Sequence, residues 1–145
     1  MHQETIYTRS RGAGLHDITS EVAQVVAHSG IATGICHVFV QHTSASLLIQ
    51  ENADPAARRD LERYFARIAP ENDPAYEHTA EGPDDMPSHL RAALTSTSES
   101  IPVSRGRLAL GTWQGLYLFE HRRTQHSRTL VVTVWGAGSD GPTGS

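Results

Sequence analysis

The sequence predicts an α+β fold in which two mainly antiparallel β-sheets pack as a sandwich, with two or three helices. Three observations lead to this prediction. Short β-branched and aromatic segments occur near the start of the chain and again from residue 100 onward. Helical patterns lie between and among them, mostly near the middle, which favours α+β over a regular βαβ alternation. The chain of 145 residues also suits a single domain with one core.

The first third of the chain predicts a strand, a helix and two further strands. Residues 3–9 form the first strand, and the glycines at 12 and 14 turn the chain. Asp17 or Thr19 is expected to cap a helix that Gly30 ends. The apolar positions of that helix follow helical spacing: Ile18, Val22, Val25 and Val26.

Residues 34–41 and 45–50 are predicted to form the next two strands. In the segment 34–41, Cys36, Val38 and Val40 alternate with Ile35, His37 and Phe39. Because both faces are largely apolar, we expect this strand to be central in its sheet and covered on both sides.

The middle of the chain predicts two helices separated by a long loop. Asp54-Pro55 is a strong helix start, because the aspartate can accept backbone N–H groups and proline suits the first helical position. Pro70 ends this helix, residues 70–83 form the loop, and Asp84-Asp85 cap the next helix. The inward positions are predicted to be Ala57, Leu61, Tyr64, Phe65 and Ile68 in one helix, and Leu90, Ala93 and Leu94 in the other.

The last third of the chain reads as strand. The four segments are 100–103, 107–110, 113–120 and 128–135. We therefore predict one domain over residues 1–136, followed by a flexible Gly/Ser-rich tail over residues 137–145.

The composition argues against several classes of protein. The formal net charge is −4, and the twelve basic residues, all arginines, are dispersed without interleaved aromatic side chains, so nucleic-acid binding is not expected. The apolar runs are far shorter than the roughly 20 residues of a membrane span. The start of the chain lacks a signal-peptide pattern, and Cys36 is the single cysteine. A cytoplasmic location follows as the expectation.

Polar side chains suited to binding or proton transfer are concentrated between Gln41 and Pro55. They lie at the end of one predicted strand and at the start of a helix, where side chains converge on shared pockets. Capping alone explains Asp54, whereas a turn does not require Glu51 or Asn52. Thr43 and Ser44, with their backbone N–H groups, could cradle a phosphate. The full set is His42, Thr43, Ser44, Glu51, Asn52 and Asp54.

A second polar cluster lies at the predicted junction between the loop and the last helix. It resembles a divalent metal or acid/base site, although its spacing matches no standard zinc motif, and a capped helix with solvated charges would also explain it. The cluster contains His78, Glu81, Asp84, Asp85 and His89. Three histidines at three element ends could close one coordination shell, so we predict that His42, His78 and His89 meet around one divalent metal or anion.

The stretch from Gly106 to Gly115 places glycines among apolar residues, which indicates a bulge or a close backbone approach. Gln114 and Glu120 are the polar exceptions in and after this stretch. An exposed strand edge would also explain Glu120.

Four blocks of the chain together resemble the YjbQ family of small bacterial and archaeal proteins, named as secondary thiamine-phosphate synthases. The likeness covers roughly residues 4–136. The blocks are His42-Thr-Ser-Ala-Ser-Leu, Glu51-Asn-Ala-Asp-Pro55, His78-x-x-Glu81-Gly-x-Asp84-Asp85-Met-Pro-x-His89 and Gly106-Arg-Leu-x-Leu-Gly-Thr-Trp-Gln-Gly115.

The resemblance implies an α+β sandwich that assembles as a homotrimer. It also implies an enzyme that joins a pyrimidinylmethyl diphosphate to a thiazole phosphate, as a secondary activity. The matching positions make catalytic candidates of His42, Glu51, Asn52, Asp54, Glu81, Asp85, Gln114 and Glu120. By their own chemistry, Thr43, Ser44 and Arg107 are candidates for binding a phosphate. The candidate metal ligands are His42, His78, His89 and Asp84.

Two kinds of divalent metal fit these candidates. Mg²⁺ would neutralise a departing diphosphate from oxygen ligands such as Asp84, Asp85 or Glu81. A three-histidine site instead points to Zn²⁺ or a similar transition metal. Two alternatives to the synthase stay open: a metal-dependent hydrolase of a small phosphate ester, and a non-catalytic protein that binds a phosphorylated metabolite. The expected partner is in each case a small phosphorylated metabolite.

Overall fold

A computed structural model of the chain describes residues 1–138, which form eight strands and three helices. The strands are β1 (His2–Arg9), β2 (Gly14–Asp17), β3 (Ile31–Val40), β4 (Ala45–Glu51), β5 (Ser98–Ser104), β6 (Arg107–Leu108), β7 (Gln114–Glu120) and β8 (Ser127–Gly138). The helices are α1 (Thr19–Ser29), α2 (Pro55–Ile68) and α3 (Asp85–Leu94). None of these helices is long and apolar enough to cross a lipid bilayer.

The strands form two antiparallel sheets. The five-stranded sheet has the order β1-β8-β3-β5-β6, and the three-stranded sheet has the order β2-β7-β4. Every named strand pair is antiparallel. The predicted α+β architecture with two antiparallel sheets is therefore confirmed.

One hydrophobic core lies between the two sheets and beside α1. Period-two alternation places Cys36, Val38 and Val40 of β3 on the inner face of the large sheet, where all are buried. Leu116 and Leu118 of β7 approach from the small sheet. The predicted apolar positions of α1 complete this core: Ile18, Val22, Val25 and Val26.

A second, smaller apolar cluster lies on the outer face of the three-stranded sheet, where α2 packs. Phe65 of α2 meets Phe119 of β7 edge to face, with ring centroids 5.2 Å apart. Only part of the predicted inward face of α2 is covered, because Tyr64 and Ile68 are exposed. In consequence β7, and not β3, is the strand covered on both faces.

The prediction for β3 is half confirmed. It lies third of five strands, so it is central in its sheet. Its outer face, however, is open: Phe39 is 41% exposed, and no helix of residues 1–138 packs over this face. Local sequence shows that a face is apolar, but it does not show which element covers it.

Several element boundaries differ from the predictions. The short strand β2 was missed, since its four residues follow a glycine turn and merge into the helix signal. The strand expected at 107–110 ends at Leu108, and Trp113 is exposed before β7 begins. Strand β8 continues through Gly138, so the first two residues of the predicted tail are strand. The rest of that tail, residues 139–145, lies outside the described part of the chain.

The capping predictions have mixed outcomes. Asp54 caps α2 as predicted, with its Oδ1 accepting the N–H of Ala56 at 2.9 Å, and Gly30 ends α1 in the left-handed conformation. Helix α1 has Ile18 at its N-cap position and no side-chain cap, because Asp17 instead bonds Thr19. Asp84 precedes α3 but does not cap it, since its carboxylate bonds elsewhere.

Helix α3 buries a polar face. Asp85, Pro87 and Ser88 are its buried residues, whereas Ala93 and Leu94, expected to point inward, are exposed. Burying an aspartate is costly unless it is paired. The partners of Asp85 therefore identify the first candidate for a functional site.

Candidate functional site

Two histidines and one aspartate converge at the start of α3. The Nε2 atom of His78 lies 2.6 Å from Oδ2 of Asp85, and the Nε2 atom of His89 lies 3.1 Å from the same oxygen. One ligand atom from each of the three residues lies within 4.8 Å of the others. We call this set the His78–Asp85–His89 cluster.

Two elements build the cluster. Asp85 and His89 are four residues apart on α3, so helical geometry places them on one face. The loop between α2 and α3 brings His78 alongside, with the two imidazole centroids 5.2 Å apart. Asp85 is buried, His89 is partly exposed and His78 is exposed, so solvent reaches the imidazoles but not the carboxylate behind them.

Arg122, from the segment that follows β7, holds the carboxylates in place. Its Nη1 donates to Oδ1 of Asp85 at 2.7 Å, and its Nε donates to Oδ2 of Asp84 at 3.2 Å. A third donor, Nη2, bonds the backbone carbonyl of Glu81. The backbone N–H of Arg123 also donates to Oδ2 of Asp84. Arg122 therefore pairs with Asp84 and Asp85, two of the three carboxylates named as alternative Mg²⁺ ligands, and Mg²⁺ binding there stays a prediction.

Asp85 is held in its ionised form. Burial by itself would raise the pKa of this carboxyl group. The hydrogen bond with His78 and the electrostatic effects of His89 and Arg122 outweigh burial, so the pKa of Asp85 lies below its ordinary value. A negative charge is thus kept at the centre of the cluster.

The hydrogen bonds of His89 test whether a cation fits the cluster. Its Nδ1 lies 3.1 Å from the backbone carbonyl oxygen of Thr43, so Nδ1 must carry a proton. In the neutral ring Nε2 then carries a lone pair, which faces Oδ2 of Asp85. Two acceptors at that distance repel unless a proton or a metal ion lies between them. Fixing one ring nitrogen on a carbonyl is also how proteins orient histidine ligands, so the donor set fits a metal.

His42 lies outside the cluster. Its Nε2 accepts the backbone N–H of Thr129 at 2.9 Å, and among the described residues no group of candidate ligands includes it. It does line the same recess as Thr43 and His89, of about 280 Å³, between the end of β3 and the side of α3. The structure thus brings His42 beside His89 without directing its bonded nitrogen at the cluster.

A second recess borders the cluster on its other side. It measures about 260 Å³, and its walls include Tyr76, His78, Gly82 and Met86. The two histidines of the cluster therefore face separate recesses, and each recess has room for a small ligand.

Five other candidate residues lie away from the cluster, near the far end of β4. Ser44 comes just before this strand and Glu51 ends it, and seven extended residues span about 20 Å. There Asn52 donates to the backbone carbonyls of Thr112 and Gln114, so it shapes a loop. The residues at this end are Glu51, Asn52, Asp54, Gln114 and Arg107, and Asn52, Gln114 and Arg107 line a groove of about 570 Å³.

Glu120 is buried in the interior and not at an exposed edge. It pairs with the buried Arg128, which donates to both of its oxygens, and Ser10 donates to Oε1 at 2.6 Å. Burial raises the pKa of this carboxyl, but the hydrogen bonds from Arg128 and Ser10 dominate, so the pKa is lowered. Glu120 therefore forms a buried ion pair with Arg128, and the catalytic role that the resemblance implies for it stays a prediction.

Three residues that matter here, Arg122, Arg128 and His121, are not among the candidates that the sequence predicts. His121 is buried, with Nε2 at 2.9 Å from the hydroxyl of Ser46. His121 and Arg122 have one sequence signal, their position, because polar residues that directly follow an apolar strand lie near the ends of neighbouring strands. Arg128 is instead the second residue of β8.

The fold and the cluster together describe a small α+β sandwich with a candidate metal site of two histidines and one aspartate. The YjbQ family model, described as UPF0047 protein YjbQ-like, matches residues 3–137. The chain therefore belongs to the YjbQ/UPF0047 family, as its sequence blocks indicated.

Relatives and solved structures agree with this assignment. A UPF0047 protein of Synechocystis is 54% identical over 135 residues, which is 93% of this chain and 92% of that protein. The YjbQ protein of Escherichia coli is 43% identical and covers 93% of this chain and 98% of its own length. A crystal structure of a YjbQ/UPF0047 protein from Clostridium acetobutylicum superposes with a TM-score of 0.81 at 33% identity. The match covers 93% of this chain and 100% of that chain. A protein from Aeropyrum pernix gives a TM-score of 0.84 at 26% identity, over 94% of this chain and 99% of that one.

Proposed function

We propose that this protein is a metal-dependent enzyme that acts on a small phosphorylated metabolite at the His78–Asp85–His89 cluster. One observation carries the proposal: two imidazole nitrogens are aimed at the same oxygen of a buried, ionised carboxylate. Three protein ligands with open positions are typical of catalytic rather than structural sites. A transition metal such as Zn²⁺ would supply Lewis-acid activation of a bound water or a phosphoryl oxygen.

The residues around the cluster have complementary roles in this proposal. Arg122 holds the oxygen of Asp85 that faces away from the histidines, which leaves Oδ2 free for the metal. The carbonyl of Thr43 keeps the proton of His89 on Nδ1, so Nε2 can bind the metal. The recesses on either side of the imidazoles would accept the substrate.

Hydrolysis of a phosphate ester is the reaction that this geometry favours. Within residues 1–138 the arginine closest to the cluster, Arg122, is already bonded to two carboxylates, and Arg107 lines the groove at the far end of β4. Neither arginine is thus placed to neutralise a diphosphate at the cluster, so a diphosphate would have to bind together with its own Mg²⁺. Thiamine-phosphate synthesis is the second candidate, because the chain belongs to the family whose resemblance implies it.

The first experiment measures metal binding. Metal-free protein titrated with Zn²⁺ should bind one ion per chain, and Asp85→Asn, His78→Ala and His89→Ala should each weaken binding by about 100-fold or more. His28→Ala, an exposed histidine remote from the cluster, is the matched control. If wild-type protein binds no divalent transition metal, the proposal is wrong.

Two assays then separate the reactions. Hydrolysis of p-nitrophenyl phosphate should appear with Zn²⁺, disappear with a chelator and be absent in Asp85→Asn. Incubation with both phosphorylated thiamine precursors and Mg²⁺ tests the synthase. Metal and phosphate-ester binding with neither product above the Asp85→Asn background would support the non-catalytic binding protein instead.

We also propose that the protein assembles as a homotrimer, as the resemblance implies. Support comes from the outer face of the five-stranded sheet, which no helix of residues 1–138 covers. Tyr7, Phe39 and Trp135 are 76%, 41% and 43% exposed on that face. Open apolar faces of this kind mark sites of protein association.

A further inference from the structure

The imidazole of His42 extends the hydrogen-bond ladder between β3 and β8. Pairing of these strands ends at Val40 and Leu130, and one residue further the N–H of Gln41 still donates to the carbonyl of Thr129. The N–H of Thr129 has no strand partner on this side, and it donates to Nε2 of His42 at 2.9 Å. A side-chain nitrogen thus takes the place of a backbone carbonyl at the end of the ladder.

This bond determines the tautomer of His42. A backbone N–H can only donate, so Nε2 must be an unprotonated acceptor and the one proton of the neutral ring lies on Nδ1. Burial lowers the pKa of His42, and the nearby positive charge of Arg128 lowers it further. The ring is therefore held as a neutral imidazole with a single, fixed donor.

That donor is available to a ligand. Among the described residues Nδ1 of His42 has no hydrogen-bond partner, and it is not among the buried side-chain atoms that lack one, so solvent reaches it. His42 lines the recess that also contains His89 of the cluster. The backbone N–H groups of Thr43 and Ser44 likewise find no acceptor within residues 1–138. Thr43 lines the recess of His42 and His89, whereas Ser44 lines an adjoining recess that also contains His42 and Thr43. Three unused donors therefore lie in consecutive residues at the boundary of these two recesses.

We propose that His42 binds no metal and instead donates its Nδ1–H to an oxygen of the phosphoryl group, with the N–H groups of Thr43 and Ser44 completing the anion site. The inference rests on the proposed function, since it takes the metal cluster as the neighbouring site. A neutral imidazole with a fixed donor suits this task, because it stabilises negative charge without giving up its proton. The recess between the end of β3 and α3, together with the adjoining recess that Ser44 lines, would then hold the phosphoryl group.

Two substitutions distinguish the acceptor role of Nε2 of His42 from the donor role of its Nδ1. In His42→Gln the amide oxygen can still accept the Thr129 N–H, but the donor at Nδ1 is lost. In His42→Asn an amide N–H occupies nearly the Nδ1 position, but the acceptor is lost. We expect the affinity of Zn²⁺-loaded protein for inorganic phosphate to fall about tenfold in His42→Gln and to change less in His42→Asn. Both variants should bind Zn²⁺ as tightly as the wild type.

Nitrogen-15 NMR of the histidine rings reports the tautomer of His42 without phosphate or metal. In wild-type protein near neutral pH, His42 should show a protonated Nδ1 and an unprotonated Nε2. In a second measurement, added phosphate should shift the Nδ1 resonance. A proton on Nε2, an unchanged phosphate affinity in His42→Gln, or loss of Zn²⁺ in both variants would overturn the inference. Failure of the proposed function would appear differently, as wild-type protein that binds no Zn²⁺ while His42 keeps its tautomer.

Discussion

Single residues at the strand ends determine the electrostatics of this molecule. Arg122 contacts Asp84, Asp85 and the carbonyl of Glu81, so one side chain ties the segment after β7 to the loop before α3. In the interior, Arg128 likewise donates to a buried carboxylate, that of Glu120. A buried carboxylate that loses its partner is strongly destabilising, which explains why each buried acid here has an arginine.

His121 is the buried residue with the largest consequence for pH. It lies against the Phe119 ring, with centroids 4.3 Å apart, and its Nδ1 has no partner among the described residues. Burial lowers its pKa from 6.5 to about 3, and the charges of Arg91 and Arg128 act in the same direction. The unfolded chain therefore takes up a proton at His121 well before the folded chain does.

We predict that this difference makes the protein lose stability in mild acid. Between the two pKa values the unfolded state binds more protons than the folded state. The contribution of His121 to the free energy of unfolding is therefore complete above pH 6.5 and decreases as the pH drops toward 3. The slope is at most about 1.4 kcal/mol per pH unit from this group. Urea unfolding at several pH values between neutrality and about pH 5.5, above the range where most carboxyl groups titrate, measures it.

His121→Phe should flatten that slope, because the phenyl ring keeps the packing on Phe119 but cannot bind a proton. The pKa of His42 is also lowered, so His42→Gln measures the part of the slope that belongs to the second histidine. An unchanged slope in His121→Phe would show that His121 is not responsible.

At the level of the element, α2 begins as local chemistry dictates. Asp54 accepts the N–H of Ala56 and Pro55 occupies the first helical position. We predict that Asp54→Ala lowers the free energy of unfolding by about 0.5 to 2 kcal/mol, read from chemical denaturation. Asp60→Ala, on the exposed side of the same helix, should change it by less. If activity collapses while stability is unchanged, Asp54 has a role in binding or catalysis beyond capping.

Helix α3 shows how a functional element departs from local rules. Its leucines suggested an apolar inward face, yet Leu94 is exposed and the buried positions include Asp85 and Ser88. Ser88 donates to the carbonyls of Asp84 and His121, which anchors the helix start to the segment after β7. Polar contacts therefore position the two α3 members of the His78–Asp85–His89 cluster.

For the whole molecule, the uneven cover of the two sheets is the main feature. Helix α2 covers the three-stranded sheet, while the outer face of the five-stranded sheet stays open within residues 1–138. We predict a trimer mass by light scattering at micromolar concentration. Trp135→Glu should shift the protein toward the monomer, because a charge would be buried in the interface. Tyr64→Glu, at an exposed aromatic residue on α2, should leave the mass unchanged, and a monomeric wild type would contradict the trimer.

Features that depend on neighbours along the chain could be predicted from the sequence. The N-cap at Asp54, the C-cap at Gly30, the shared face of Cys36, Val38 and Val40 on β3 and the two-sheet class all follow from local periodicity and turn chemistry. The i,i+4 pairing of Asp85 with His89 was likewise readable, because helical geometry links these positions.

Which distant residues meet depends on the tertiary structure and could not be predicted from the sequence. The tertiary structure placed Arg122 on Asp84 and Asp85, separated His42 from the His78–Asp85–His89 cluster, and enclosed Glu120 with Arg128. It also placed Glu51 and Asn52 at one end of β4 and Thr43 and Ser44 at the other end. Periodicity reports which face a side chain occupies, but contacts between elements depend on how the sheets stack and on which strand ends come together.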